Sequence, residues 1–146
     1  YWQKQKQKGR ASKEGLLDNI PRPMPGLLRS KKIQAKAATV GFDYPNVREV
    51  LGKLCEEVDE LEASMLEGDE KDILHEIGDV LFTTVNIARH LNQDAELAIQ
   101  ASNDKFLRRF RYIEKKCDEA NKKMDQLTFE EMLEYWEEAK KGPLEK

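Results

Sequence analysis

Glu56-Glu57-Val58-Asp59-Glu60, a turn at Gly68-Asp69, and Glu76-Ile77-Gly78-Asp79 together decide the fold. Glu60 lies eight residues before Gly68, and Glu76 lies eight after it. If both arms are helical, each of these residues stands about 12 Å from the turn, at ~1.5 Å rise per residue. Glu57 and Asp79 match one level further out, eleven residues from the same glycine on either side. An antiparallel helix hairpin therefore brings four carboxylates to one height. Like charges that close repel, so the arrangement calls for a cation between them. Hard oxygen ligands suit Mg²⁺, Mn²⁺ or Ca²⁺.

Helical periodicity orients the acids. On the first arm Val47, Val50, Leu51, Leu54, Val58, Leu61 and Met65 form an apolar stripe. Glu57 falls at its edge and Glu60 comes next. Glu56 points furthest away, which suits a solvated residue or one behind the ligands. The second arm reads as a core stripe of Ile73, Leu74, Ile77, Val80, Leu81, Thr84, Ala88 and Leu91. Phe82, Val85 and Ile87 carry apolar surface around much of the remaining circumference. One polar strip is left, through Asp72, Glu76, Asp79, Thr83, Asn86 and His90. A helix this apolar is buried in a bundle or an oligomer, and its polar strip faces solvent or a site. A single ExxE pair is an ordinary solvated helix face, but two pairs matched across a turn are not.

The flanking sequence supplies the other helices. Ile20-Pro21-Arg22-Pro23-Met24-Pro25 excludes helix and reads as a linker, so residues 1–25 are expected to be a linker or the tail of a preceding domain. Tyr1-Trp2-Gln3-Lys4 echoes Tyr135-Trp136-Glu137-Glu138, which supports a preceding, similar domain. Residues 26–146 form the functional domain. Leu27, Leu28, Ile33, Ala37 and Val40 predict a first helix from Gly26 to about Val40, broken by Gly41-Phe42-Asp43-Tyr44-Pro45. Asn46 with Glu49 caps the first acidic arm, and Asp69 caps the second, which runs to about Leu91. Asp94 opens a long helix to about Asn121. Thr128-x-x-Glu131 is a capping box for the last helix, which ends near Gly142-Pro143. No segment alternates with period two. The expected fold is all-α, a five-helix bundle built around the acidic hairpin and completed by dimerisation.

Composition narrows the class. The 146 residues carry a net charge of −3 and a charged fraction of 36% with both signs interleaved, unlike a basic nucleic-acid binder. No nucleic-acid partner is expected. No apolar run approaches the ~18 residues of a membrane span, and the opening residues lack the apolar region of a secretory signal. Cys55 and Cys117 lack metal-type spacing and fit a reducing cytoplasm. On the long helix Lys105 and Arg109 are i,i+4 neighbours, a cation pair suited to phosphate. Acids on one pair of helices and cations on another suggest a metal-bound polyphosphate. A di-iron carboxylate bundle is a poor rival, since only Asp72-x-x-His75 approaches its Glu-x-x-His pairs.

The ordered motifs resemble the EExxE…ExxD signature of the all-α nucleoside triphosphate pyrophosphohydrolases, and more closely the MazG family. Beside the acids, the resemblance rests on four stretches. They are Lys36-Ala37-Ala38-x-Val40-Gly41-Phe42-Asp43, Val85-Asn86-x-Ala88-Arg89, Asn103-x-Lys105-Phe106-x-x-Arg109-Phe110, and the last helix from Leu127 through Trp136 to Lys140. It covers about Pro25 to Lys141. The resemblance implies Mg²⁺-dependent hydrolysis of nucleoside triphosphates to monophosphate and pyrophosphate, broad in base, with Mn²⁺ as a substitute metal. Glu57, Glu60, Glu76 and Asp79 would be metal ligands and catalytic residues. Lys53, Lys105 and Arg109 would contact phosphates, with Trp136 and Lys140 completing the nucleotide pocket. It further implies a homodimer, and a chain corresponding to the C-terminal half of a tandem duplication. The alternative is a non-catalytic helical module that binds metal or nucleotide.

Overall fold

The computed structural model describes residues 15–142, so the Tyr1-Trp2 echo and Pro143 lie outside the described residues. Five α-helices and one 3₁₀ turn make up the regular structure of this region, with no strand among the described residues. They are α1 (Gly26–Ala38), α2 (Val47–Glu67), α3 (Glu70–His90), α4 (Ala95–Glu119) and α5 (Phe129–Lys140). The 3₁₀ turn, Met124–Gln126, lies between α4 and α5. The all-α expectation holds, and the helix ends fall within two residues of those read from the sequence.

The ends are where side chains or left-handed residues satisfy orphan backbone groups. Asn46 Oδ1 accepts the Glu49 N–H at 3.1 Å to open α2. Asp69 Oδ1 accepts from Lys71 and Asp72 to open α3. Thr128 and Glu131 exchange both capping-box bonds, each at 3.2 Å, at the start of α5. Gly68 closes α2 with φ +74°, a left-handed conformation that costs a glycine little, and its N–H bonds the Ser64 carbonyl. That single residue reverses the chain and sets the register of α2 against α3. The sequence reading missed the 3₁₀ turn, where the Lys123 N–H is received by the Gln126 side chain.

The chain divides into two compact units, one ending at Glu96 and the other starting at Leu97. In the first, α2 packs along α3 and α1 packs on α3. Val50 is fully buried and Val85 nearly so. The second unit has its own core of Ile113, Cys117 and Leu127, with Met124, Met132, Tyr135 and Trp136 packed against it.

The helix faces correct part of the sequence reading. Leu51, Val58 and Met65 of α2 are exposed, as are Leu74, Ile77 and Leu81 of α3, Leu74 at 69%. The stripes read as core are thus only partly buried in the single chain, through Val50 on α2 and, less completely, Leu54, Leu61, Ile73 and Val80. Buried instead are Glu57, Thr83 and Asn86, polar residues drawn inward where α1, α2 and α3 meet. The reason is that α3 is apolar on more faces than α1 and α2 can cover. Residues 15–25 form turns and irregular backbone, as the prolines require, and Leu17 reaches the wall of a cavity described below.

Gly68→Ala should destabilise the protein by about 1 kcal/mol, because alanine is strained in the left-handed region. Chemical denaturation of the two proteins measures it, with a lowered midpoint at unchanged slope expected.

Candidate metal centre and phosphate-facing residues

Glu57 on α2 and Glu76 and Asp79 on α3 converge, each offering a carboxylate oxygen, with all three oxygens within 4.8 Å of one another. The Gly68 turn produces this convergence, since it pairs levels of the two arms that are far apart in sequence. Glu57 is 5% exposed, Glu76 is half-buried, and Asp79 lies at the open side. Glu57 is held by Lys53, whose Nζ stands 3.1 Å from its Oε1. Lys53 also reaches Glu56 at 3.4 Å. These bonds, Glu57 first, push the lysine's pKa well above its ordinary value. Lys53, read as a phosphate contact, is thus engaged with two carboxylates, and Glu56 is exposed as its helical position predicted.

Two atoms carry the argument for a cation. Glu57 Oε2 and Glu76 Oε2 are buried and have no hydrogen-bond partner. A buried carboxylate oxygen without a hydrogen-bond donor is expensive, and two at one convergence form a hard-oxygen donor set for a divalent ion. The Glu76 carboxyl is raised from its usual range. Burial contributes most, followed by the charges of Glu60, Asp79 and Glu57. Glu60 is therefore close enough to be felt by Glu76, although it lies outside the convergent three and is exposed.

The other expected residues fall in the second unit. Lys105 is exposed on α4. One turn on, the Arg109 guanidinium lies 5.2 Å from the ring centre of Trp136 on α5. Trp136 also meets Phe106, at 5.1 Å between ring centres. The indole is thus partly a core residue and partly a platform for a cation. Lys140 pairs with Glu137 at 3.1 Å. The sequence-derived site accordingly sorts into acids on the α2–α3 hairpin and cations with an aromatic on α4 and α5.

Gln34, Asn86, Arg89 and Asp43 were not read as site residues. Arg89 donates to both Asp43 Oδ1 and Asn86 Oδ1, and His90 Nε2 lies 2.9 Å from the same Asp43 oxygen. Burial works to raise the Asp43 carboxyl, but the Arg89 and His90 bonds and charges outweigh it and hold the carboxyl below its usual value. The available signals were the polar strip of α3 and the lone glutamine between Ile33 and Ala37.

An all-α hairpin bearing convergent carboxylates, with a cation pair further along the chain, defines the class of the all-α nucleotide pyrophosphohydrolases. Residues 46–117 match the model of the MazG nucleotide pyrophosphohydrolase domain, and the chain belongs to the MazG family. It is 40% identical over 148 residues to the nucleoside triphosphate pyrophosphohydrolase of Escherichia coli K12, a match covering 99% of this chain and 56% of that protein. Against the nucleoside triphosphate pyrophosphohydrolase/pyrophosphatase MazG of Thermotoga maritima it is 34% identical over 139 residues, 95% of this chain and 53% of that one. The uncharacterized protein YabN of Bacillus subtilis is 38% identical over 130 residues, which span 27% of its length. The chain spans about half the length of the first two relatives.

Because the pKa of Glu76 is raised in the folded state, folding is favoured while this group is protonated, and that contribution is lost as pH rises through the folded value. Glu76→Gln should therefore raise the Tm of the metal-free protein at pH 7 and leave it little changed below about pH 4, where both forms are neutral. Thermal melts in EDTA across this range measure it.

Proposed function

We propose that the chain hydrolyses nucleoside triphosphates to nucleoside monophosphate and pyrophosphate, with Glu57, Glu60, Glu76 and Asp79 serving divalent cations, Mg²⁺ by preference and Mn²⁺ as substitute. The observation that carries this reading is the pair of unpartnered buried oxygens, Glu57 Oε2 and Glu76 Oε2, within the convergent three carboxylates. The names of the Escherichia coli and Thermotoga maritima relatives support the reaction type.

Bound at these carboxylates, such ions supply a water of lowered pKa and neutralise charge on the phosphate oxygens. The protein's own groups do the rest. Lys53 holds Glu57 by its Oε1 and leaves Oε2 for the metal. Glu60, close to Glu76 but outside the convergent three, is assigned the role of orienting the attacking water and taking its proton. Attack at the α-phosphorus breaks its bond to the bridging oxygen and releases pyrophosphate. Lys105 and Arg109 are assigned to the charge that grows on that leaving group. Trp136 lies against Arg109 within the second unit, and Lys140 on α5 is assigned with them to the nucleotide.

The exposed apolar faces of α2 and α3 support a homodimer. Leu74, Leu81 and Met65 are large, outward-facing and on adjacent helices, and contiguous exposed apolar surface marks an interface. Among the described residues no helix is long and apolar enough to cross a membrane. A reducing cytoplasm suits the unpaired Cys55 and Cys117.

Product analysis of a nucleotide panel with Mg²⁺ should give pyrophosphate and monophosphate, and none with EDTA. Release of single phosphate with diphosphate would place attack at the terminal phosphorus instead. Metal binding without turnover would leave a binding module. Glu76→Ala and Asp79→Ala should each lower kcat by about 100-fold or more in folded protein. Leu74→Glu combined with Leu81→Glu should convert a dimer into a monomer of 16.9 kDa in light scattering. Unchanged mass would send the dimer contact to another face.

A further inference from the structure

The proline-rich stretch ahead of α1 is not used by the carboxylate chemistry. From Ile20 to Pro25 every residue is either a proline or the residue before one, so each is confined to extended or turn backbone. The Met24 N–H bonds the Arg22 carbonyl at 2.9 Å, a γ-turn centred on Pro23. Pro25, at φ −51° and ψ 136°, leads into α1. Ahead of this arm the chain folds on itself. The Gly15 N–H donates to the Asp18 carboxylate at 2.6 Å, and the Asp18 N–H returns to the Gly15 carbonyl at 3.2 Å. The Ile20 N–H closes on the Leu17 carbonyl at 3.2 Å. Residues 15–25 are therefore a tight turn carried on a short, stiff arm.

Each of these hydrogen bonds closes within the segment. Leu17 is what brings the turn against the body of the first unit. It lies in the wall of a cavity of about 680 Å³, with Ile33 and Ala37 of α1 and with Phe42 and Tyr44 of the loop between α1 and α2. Glu57 and Asp79, from the carboxylate convergence, line the same cavity. The turn thus leans on the site through an apolar side chain, and that contact is incomplete. Leu17 is 40% exposed and Phe42 79%. Both retain apolar surface that a closer approach would take out of water. An arm whose backbone is already restricted loses little entropy in making that approach.

We propose that residues 15–25 form a strap that closes over the substrate, with Leu17 as its latch against Phe42. In the ligand-free chain the strap rests ajar, its leucine half in water. A nucleotide held at the carboxylates offers Leu17 further surface, and the strap shuts on it and keeps water from the site. Reopening releases the products. Pro21 and Pro23 are positioning residues, since they hold the leucine within reach without a helix. This rests on the pyrophosphohydrolase reading and adds to it how the substrate is admitted and retained.

The test reads backbone amide exchange in the full chain with Mg²⁺, with and without a nucleoside triphosphate whose α,β-bridging oxygen is replaced by methylene. In the parent, saturating analogue should slow exchange at residues 17–20 by about tenfold or more. Leu17→Ser should abolish that gain. In stopped-flow binding the analogue should leave this variant about tenfold faster and arrive no more slowly. Pro21→Ala combined with Pro23→Ala keeps the leucine and loosens the arm, so the gain should shrink there too. Both variants should melt with the parent, because the strap lies outside the helices. Analogue that binds the parent without gained protection overturns the strap, as does a Leu17→Ser variant that retains analogue as long as the parent does. Faster release accompanied by slower arrival or a lowered Tm also overturns it, since the damage is then general. If the parent binds no analogue, the pyrophosphohydrolase reading fails, and the strap fails with it; binding without protection sinks the strap alone.

Discussion

The mutual repulsion of Glu57, Glu76 and Asp79 is the constraint around which the first unit is organised. Three carboxylate oxygens within 4.8 Å are a liability in any protein that lacks a counter-charge there. The chain supplies one internal counter-charge, Lys53, and spends it on a single oxygen of Glu57. The remaining buried oxygens are left unmet. Everything that fixes their positions, the αL conformation at Gly68, the Asn46 and Asp69 caps and the α2–α3 packing, works against that repulsion. The hairpin is therefore a frame in which local backbone preferences hold an arrangement that electrostatics alone would open.

The second organising fact is the unequal demand for partners on α3. One side of it meets α1 and α2 and buries Thr83, Val85 and Asn86. Thr83 satisfies its hydroxyl within the helix, on the Asp79 carbonyl at 2.7 Å. The Asn86 Oδ1 is met by Arg89. Burial of these polar groups is tolerable because each finds a partner nearby. The opposite side keeps its leucines outward. A sequence built for one chain alone would place those leucines where the polar strip lies, so the pattern fits a helix that serves two neighbours.

Much of this was legible in the residues. The acids were visible because i,i+3 spacing and the distance from Gly68 are properties of sequence position alone. The caps were visible because Asn, Asp and Thr declare themselves before helical periodicity begins. What could not be read depends on contacts between distant segments. Gln34 meets Phe82 across 48 residues, and Arg89 meets Asp43 across 46. Hydrophobic periodicity marks an apolar face but not which neighbour covers it, so the α3 stripe reads as buried in a bundle or an oligomer without separating the two. Lys53, carried to the phosphates by family position, also has an i,i+4 acid within its own reach.

The arrangement around Asn86 has a bearing on how such a protein diversifies. The hydrogen-bonding sense of a buried side chain is set here by Asp43, a residue in a loop, acting through Arg89. Loops accept substitution more readily than packed helices. A change at Asp43 removes one of the partners that hold Arg89, and so loosens its grip on the Asn86 amide with no atom of α3 replaced. The carboxylates have no comparable lever, because their geometry is bound to the helix register. The orientation of this buried amide can thus change along one route while the carboxylates stay anchored by another, and descendants of one ancestral hairpin can part company in the cavity wall before they differ in the acids.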